Sequence, residues 1–534
     1  MHKLYITLWI VSILLFSVLL AANVFMGELN QDEGWYLYSG RLVSEGKLPF
    51  IDFASTQGPV TAFVYAAAGP FVNAWGMAGG RLFSALLGFV SVICAAVLAA
   101  VMVHNDRQRR SAGLIAFALA GVNVYQAAFF ATVKTYAPGA LFITAGYLAL
   151  AVSWRAGKAG WPGVLLAGIS LGLAAAVRIS AGIILPIVFV GLLFSRGRAG
   201  LSFVFAAGAA AVCAGAYLPF LINAPRAFQF GIFEYHAGRE AGGPLSYIIY
   251  KAGFLSRFAR AYFVALALVT AGFLYRLFNG RRAGGDKPAD PADDQPAVFP
   301  VSLLWLGFAG VSLVHFLAPF PYDDYQVMIF PLFASAAAVF LVRLVSGMHN
   351  AQRTTHSAHL SLTVILLCAL SSFSSPINQE WFVAGRDLIW WPVKSESSVA
   401  KLRRTAELIR PFCGSDGKLL TQDTYLAVEA GLRVPEGLEM GPFSYYPDWE
   451  REKAEACHVL NREMMKELVG ETTASVAAVS DWWLAVKAPS ITPVPSTERA
   501  EIMKILEERY NLFKTIDNFG QARTPLEIYV KKVE

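Results

Sequence analysis

The chain has 534 residues, of which 56% are hydrophobic and only 15% charged. Soluble domains carry about 25% charged residues, so this composition excludes an ordinary soluble enzyme and indicates a polytopic membrane protein. The net charge of +6 implies no nucleic-acid partner, because cytoplasmic loops of membrane proteins favour Lys and Arg.

The elements follow in chain order. Leu4 to Met26 is apolar and long enough to cross a bilayer, which takes ~20 residues. It exceeds the ~7–15-residue core of a cleavable signal, so it is expected to stay as the first helix. Directly beyond it, Asn30-Gln-Asp-Glu-Gly-Trp-Tyr-Leu-Tyr38 sets Asp32 and Glu33 at the water interface. Residues 28–78 form the first extracytoplasmic loop, and its part Pro59 to Gly76 is broken by Gly69, Pro70 and Asn73. That part is expected to form helices lying on the membrane surface.

Gly80 to Val103, Ala112 to Ala131 and Tyr136 to Trp154 give spans two to four. Trp161 to Phe194 holds Arg178 in its middle, and a charge at the bilayer centre costs about 2.5–3.5 kcal/mol or more. Splitting that run at Ser180 into spans five and six moves Arg178 to an interface. Leu201 to Ile222 and Phe258 to Phe278 follow, with a polar loop from Asn223 to Arg257 between them. A hydrophilic cytoplasmic linker over 279–298 reads as disordered. Phe299 to Phe320, Gln326 to Leu344 and Leu360 to Phe373 bring the count to eleven.

With the N-terminus in the cytoplasm, the clusters Arg107/Arg109/Arg110, Arg155/Lys158, Arg196/Arg198, Arg281/Arg282 and Arg343/Arg353 all lie inside, as the positive-inside rule asks. Residues 1–373 then make the membrane domain, in what is expected to be a bacterial cell membrane. Residues 374–534 make an extracytoplasmic domain of ordinary soluble composition. In it, Ser397 to Arg410 and Glu498 to Arg509 have helical spacing, and Lys418 to Leu420 and Ser475 to Val479 look like strands. Leu512 to Val530 reads as a hairpin, which suggests a small α/β unit. Cys413 and Cys457 could pair there; the five cysteines follow no metal or redox spacing.

This topology gathers polar residues on the outer face: Asp32, Glu33, Lys134, Tyr136, Arg178, Glu234, His236, Arg239, Glu240, His315, Asp323, Asp324 and Tyr325. Carboxylates beside cations at a lipid interface suit chemistry on a lipid-linked phosphate. A carboxylate can take the proton of an acceptor hydroxyl, and Lys and Arg can stabilise charge on a leaving phosphate. Each residue also has a plainer reading. Asp32-Glu33 can be a solvated loop start, Lys134 a snorkelling lysine and Arg178 an interface anchor. His236 can be an ordinary loop histidine, and Asp323-Asp324 a turn after Pro321. No cofactor or metal is indicated, although Asp323 and Asp324 leave a divalent cation open. A transporter or flippase of lipid-linked sugars and a non-catalytic envelope scaffold are the alternatives to an enzyme.

The motif Asp32-Glu-Gly-Trp-Tyr36 resembles the first-loop signature of GT-C fold glycosyltransferases, among them the protein O-mannosyltransferases and the aminoarabinose transferases of lipid A. The likeness continues through Gly46-Lys-Leu-Pro49, Gly58-Pro59, Arg81-Leu-Phe-Ser84 and the pair Tyr325…Pro331. It implies a polyprenyl-phosphate sugar as donor and a glycan, lipid or protein acceptor. It also implies inversion at the anomeric carbon, with Asp32 as catalytic carboxylate, Glu33 supporting it and Tyr36 nearby. Where relatives carry Lys-Pro-Pro this chain has Gln57-Gly-Pro59, and Asp324 stands where they often have Arg. The donor phosphate is therefore expected on Lys134, Arg178 or Arg81.

Overall fold

The computed structural model describes residues 2–237, 243–280, 299–347, 353–374, 389, 394, 396–413, 417–481, 483–484, 494–521 and 523–532. Arg239, Glu240 and most of the 279–298 linker, with Arg281 and Arg282, lie outside them.

The membrane part opens with α1 (His2–Met26), α2 (Gln31–Ser44), α3 (Val60–Ala66), α4 (Gly69–Val101), α5 (Asp106–Gly121), α6 (Val124–Ala131) and α7 (Tyr136–Arg155). It continues with α8 (Trp161–Val177), α9 (Ile184–Leu193), α10 (Ala199–Asn223), α11 (Pro225–Gln229), a π turn over Phe230–Glu234, and α12 (Tyr235–Ala237). It ends with α13 (Pro244–Ala261), α14 (Phe263–Gly280), α15 (Val301–Leu317), α16 (Phe330–Gly347) and α17 (Arg353–Ser374). Helices α1, α4, α7 and α10 are each long and apolar enough to cross a bilayer. The pairs α5–α6 and α13–α14 are apolar enough together but bend by 68° and 87°, and five shorter apolar helices complete the set. The chain is an integral membrane protein, mostly helical, with a small sheet at its C-terminal end.

Several expected spans are redrawn. The third is broken at Val122-Asn123, where the Asn123 side chain leaves the helix path and caps α6 by accepting from the Gln126 N–H at 2.9 Å. The start expected at Phe258 belongs to α13, and the bend falls at Tyr262. The polar loop from Asn223 to Arg257 is largely helical. The expected split of the Trp161–Phe194 run is present. Arg178, at φ −147° and ψ 117°, ends α8 in an extended conformation that no helix continues through.

The C-terminal region forms a four-stranded sheet in the order β1-β2-β4-β3, from Leu419–Leu420, Val476–Ser480, Tyr510–Phe519 and Thr524–Lys531. β1 and β2 are parallel, and β4 pairs antiparallel with both β2 and β3. Helices Ser398–Ile409 and Ser496–Arg509 lie where the sequence spacing puts them. No disulfide joins Cys413 to Cys457; Cys413 Sγ donates to the Ile409 carbonyl at 3.3 Å, and Cys457 is buried.

Helix α2 ties the two parts together. Asn30 and Glu33 form a capping box at the start of α2: Asn30 Oδ1 accepts from the Asp32 N–H at 3.1 Å, and Glu33 Oε2 from the Asn30 N–H at 2.9 Å. The helix then buries Trp35, Tyr36, Leu37, Tyr38 and Leu42 in one apolar cluster with the C-terminal residues Leu402, Leu420, Tyr425 and Leu426. The helices approach closely at Gly34, where a Cβ would stand 2.1 Å from the backbone nitrogen of Tyr425. Gly34→Ala should therefore push the helix Thr424–Ala430 off α2, at a cost of about 1–3 kcal/mol for overpacking. The expected result is a lower melting temperature and faster protease release of the C-terminal region; wild-type behaviour in both would show that the contact is loose.

Candidate functional site

Successive side chains on a helix diverge by about 100°, and this separates the two carboxylates of the first loop. Asp32 faces a cavity of about 190 Å³, with its side chain 30% exposed. Glu33 turns the other way and is fully buried against α4. There it takes a two-pronged ion pair from Arg81, with Nε to Oε1 at 2.8 Å and Nη2 to Oε2 at 2.6 Å. Arg81 also donates to the carbonyls of Gly27 at 3.0 Å and Glu28 at 2.6 Å. Its donors are committed to the scaffold, so Arg81 is a strut beneath the site.

Glu33 does more than neutralise Arg81. Its Oε1 accepts from the Val133 N–H at 3.2 Å. The same turn is gripped by Ser84 Oγ on the Thr132 carbonyl at 3.1 Å and Tyr65 OH on the Lys134 carbonyl at 2.5 Å. These bonds aim Lys134 into the cavity, where its Nζ lies 3.1 Å from Asp32 Oδ2 and 3.2 Å from Asp324 Oδ2. Burial opposes the charge on Lys134, but the two carboxylates outweigh it and hold the ammonium well above the usual lysine range. Tyr136 adds its hydroxyl to Asp324 Oδ2 at 2.9 Å. Burial, reinforced by the Asp32 carboxylate, pushes the Tyr36 phenol far up, so it stays neutral in the cavity wall.

Arg178 closes the opposite end. Its guanidinium stacks on Tyr325, 4.1 Å from the ring centroid, and lies 5.5 Å from that of Tyr136. It donates to Thr135 Oγ1 at 3.0 Å. Among the described residues no carboxylate forms an ion pair with it, so most of its five donors stay uncommitted. Arg178, Tyr325, Thr56, Gln57 and His236 also line a second, more apolar cavity of about 250 Å³, whose wall includes Ile179, Ile232, Val314, Ala318 and Phe320. His236 Nε2 is 2.8 Å from the Thr56 carbonyl oxygen.

The structure thus brings Asp32, Tyr36, Gln57, Lys134, Tyr136, Arg178, His236, Asp324 and Tyr325 to one cavity. Glu33 and Arg81 sit behind it. Asp323 points away from its neighbour, buried on Arg257 Nε at 2.7 Å and on the Tyr125 hydroxyl. The two aspartates therefore do not converge as a pair. Residues not foreseen also line the cavity, notably Gln31, Trp35, Thr135, Phe443 and Gln521. A helical reading of 31–44 would have found Gln31 and Trp35, which share a face at i and i+4 with Asp32 beside them. Phe443 and Gln521 carry no local signal.

At the sequence level no family model matches the chain, and no curated protein is a significant match. Its fold is similar to that of ArnT from Cupriavidus metallidurans. With the form bound to undecaprenyl phosphate it shares 14% identity at a TM-score of 0.54, over 99% of this chain and 98% of that one. With the apo form it shares 13% identity at a TM-score of 0.56, over 98% and 97%. The architecture common to them is the GT-C fold, present here over nearly the full chain.

Proposed function

We propose that the protein is a membrane glycosyltransferase that moves a sugar from a polyprenyl monophosphate to an acceptor hydroxyl outside the cytoplasm. The observation that carries this is the junction at Arg178. A guanidinium with uncommitted donors stands where an apolar cavity opens into a polar one that contains an accessible carboxylate. That is the layout a lipid phosphate sugar needs: chain in the 250 Å³ cavity, phosphate on Arg178, sugar toward Asp32. ArnT binds undecaprenyl phosphate on the same fold, which supports the choice of lipid.

In this reading Asp32 Oδ takes the acceptor's proton as the acceptor oxygen bonds to the anomeric carbon. The bond from that carbon to the phosphate oxygen breaks, and the electron pair leaves with the phosphate. Attack opposite the leaving group inverts the anomeric centre. Arg178 stabilises the charge that grows on the phosphate. Lys134, paired with both Asp32 and Asp324, supplies there the positive charge a divalent cation would bring. In this reading the shorter apolar helices also cross, and the odd number of crossings sets the two ends on opposite sides. The Lys and Arg clusters assign the N-terminus to the cytoplasm and residues 374–534 to the outside.

The test is sugar release from a panel of polyprenyl-monophosphate sugars in membranes holding wild type or Arg178→Gln. Wild type should turn over one donor, and the variant should lose about 10²–10³ in rate, the usual worth of one preorganised donor to a developing charge. Wild type that releases sugar from no donor would overturn the reading, and lipid transport would then be measured.

A further inference from the structure

The cavity has two unlike ends. The Arg178 end is shared with the apolar cavity, whereas Asn30, Phe129 and Gln521 at the other end are shared with a small pocket of about 50 Å³. Among the described residues lining the cavity, the charged ones are Asp32, Lys134, Arg178 and Asp324. None of the residues shared with the small pocket is charged. This end is built from α2 and the C-terminal region together. Gln521, in the β3–β4 turn, accepts from the Gln31 N–H through Oε1 at 2.8 Å, which leaves its NH₂ as the available donor. Gln31 directs its own Nε2 toward Asp423 Oδ1 at 3.4 Å, and Asp423 also accepts from the Tyr425 hydroxyl at 2.7 Å.

Two polar atoms are left over. Gln31 Oε1 and Trp35 Nε1 are buried, and neither has a hydrogen-bond partner among the described residues. Gln31 is 3% and Trp35 4% exposed, and both line the cavity. A buried polar group left unpaired costs about 1–3 kcal/mol, so a pair of them beside a catalytic carboxylate marks a place where a ligand completes the bonding. The set offers an acceptor at Gln31 and donors at Trp35 and Gln521. A hydroxyl can both donate and accept and so satisfies each of these groups. A phosphate or carboxylate would be repelled by Gln31 Oε1, and the nearby cations, Lys134 and Arg81, are already paired with Asp32, Asp324 and Glu33.

We propose that Gln31, Trp35 and Gln521 form the acceptor subsite and that the acceptor is a neutral sugar presenting several hydroxyls. The proposal rests on the transferase reading above. The lipid phosphate takes the Arg178 end, and the nucleophile must approach from the side opposite the leaving group. The acceptor therefore enters at the end closed by Gln521. Asp423 engages the Gln31 amide through Nε2, which leaves Oε1 as the unpartnered acceptor among the described residues.

The experiment uses the full chain in membranes, the donor that wild type turns over, and cell-envelope glycans separated by anion exchange into neutral and anionic fractions. Transfer to the neutral fraction is expected. Trp35→Phe, which keeps the ring stacked on Tyr36 at 3.9 Å, and Gln521→Ala, at an exposed turn, should each raise the acceptor KM about tenfold, as loss of one hydrogen bond does. The KM for donor should move less than twofold. Transfer to the anionic fraction alone, equal rises in donor and acceptor KM, or an unchanged acceptor KM in both variants would each overturn the proposal while leaving the transferase intact. Absence of sugar release by wild type would instead remove the transferase reading, and this proposal with it.

Discussion

Replacing Asp32 by Asn is expected to lower kcat by ~10²–10⁴, the range that general-base catalysis contributes, with protein level and melting temperature close to wild type. Asp32 and Asp324 both touch Lys134 Nζ, so the choice between them as base rests on access. The Asp32 side chain is 30% exposed to the cavity, against 7% for Asp324. Asp324 is also held by the Tyr136 hydroxyl, whereas Asp32 meets Lys134 through one carboxylate oxygen, Oδ2. Asn preserves shape and a hydrogen-bond acceptor but has no basic oxygen. Release of sugar from the polyprenyl-phosphate donor is the assay, with acceptor saturating. Equal turnover in wild type and variant would remove Asp32 as the base. A larger loss in Asp324→Asn than in Asp32→Asn would reassign the role.

The second large effect is on stability. Arg81→Met should destabilise the protein by about 3–5 kcal/mol, because it strands the fully buried Glu33 carboxylate without its ion pair. The paired change Glu33→Leu with Arg81→Met should recover much of that loss, since no uncompensated charge is then buried. Recovery of stability should not bring recovery of activity: the double variant still lacks the acceptor for the Val133 N–H, so the turn that presents Lys134 is released. Thermal melting in detergent and sugar release from the same preparations separate the two outcomes. A single variant that melts like wild type would show that water reaches Glu33. A double variant with full activity would show that Ser84 and Tyr65 hold the turn unaided.

The parts of this architecture that were legible in the sequence are those where polarity stands out against an apolar chain. Lys134, Arg178 and Asp324 each interrupt or bound a hydrophobic run, so bilayer cost alone singles them out, and the structure gathers them around Asp32. The split at Arg178 was readable for the same reason. The divergent roles of Asp32 and Glu33 were not, because adjacency in sequence reads as adjacency in space only until the local conformation is known. Asn30 and Glu33 spelled a helix start, and taking 31–44 as helix would have sent Glu33 toward α4. The breaks at Asn123 and Tyr262 were hidden because apolar composition is continuous across them, and only side-chain capping or packing marks the bend. Nothing local could have led to Gln521, whose place depends on a sheet that has no counterpart in the membrane part.

The bond between the Gln31 backbone and Gln521 spans 490 positions, and this has a consequence for biogenesis. A ribosome delivers Asp32 to the membrane well before it makes Gln521, which follows the whole helical scaffold. Long-range closures of this kind form late, since the cost of closing so large a loop is met only once both ends are already structured. Until then the groove beside Asp32 lacks one wall. A nascent chain would therefore carry Asp32 in an incomplete setting until the β3–β4 hairpin docks against α2.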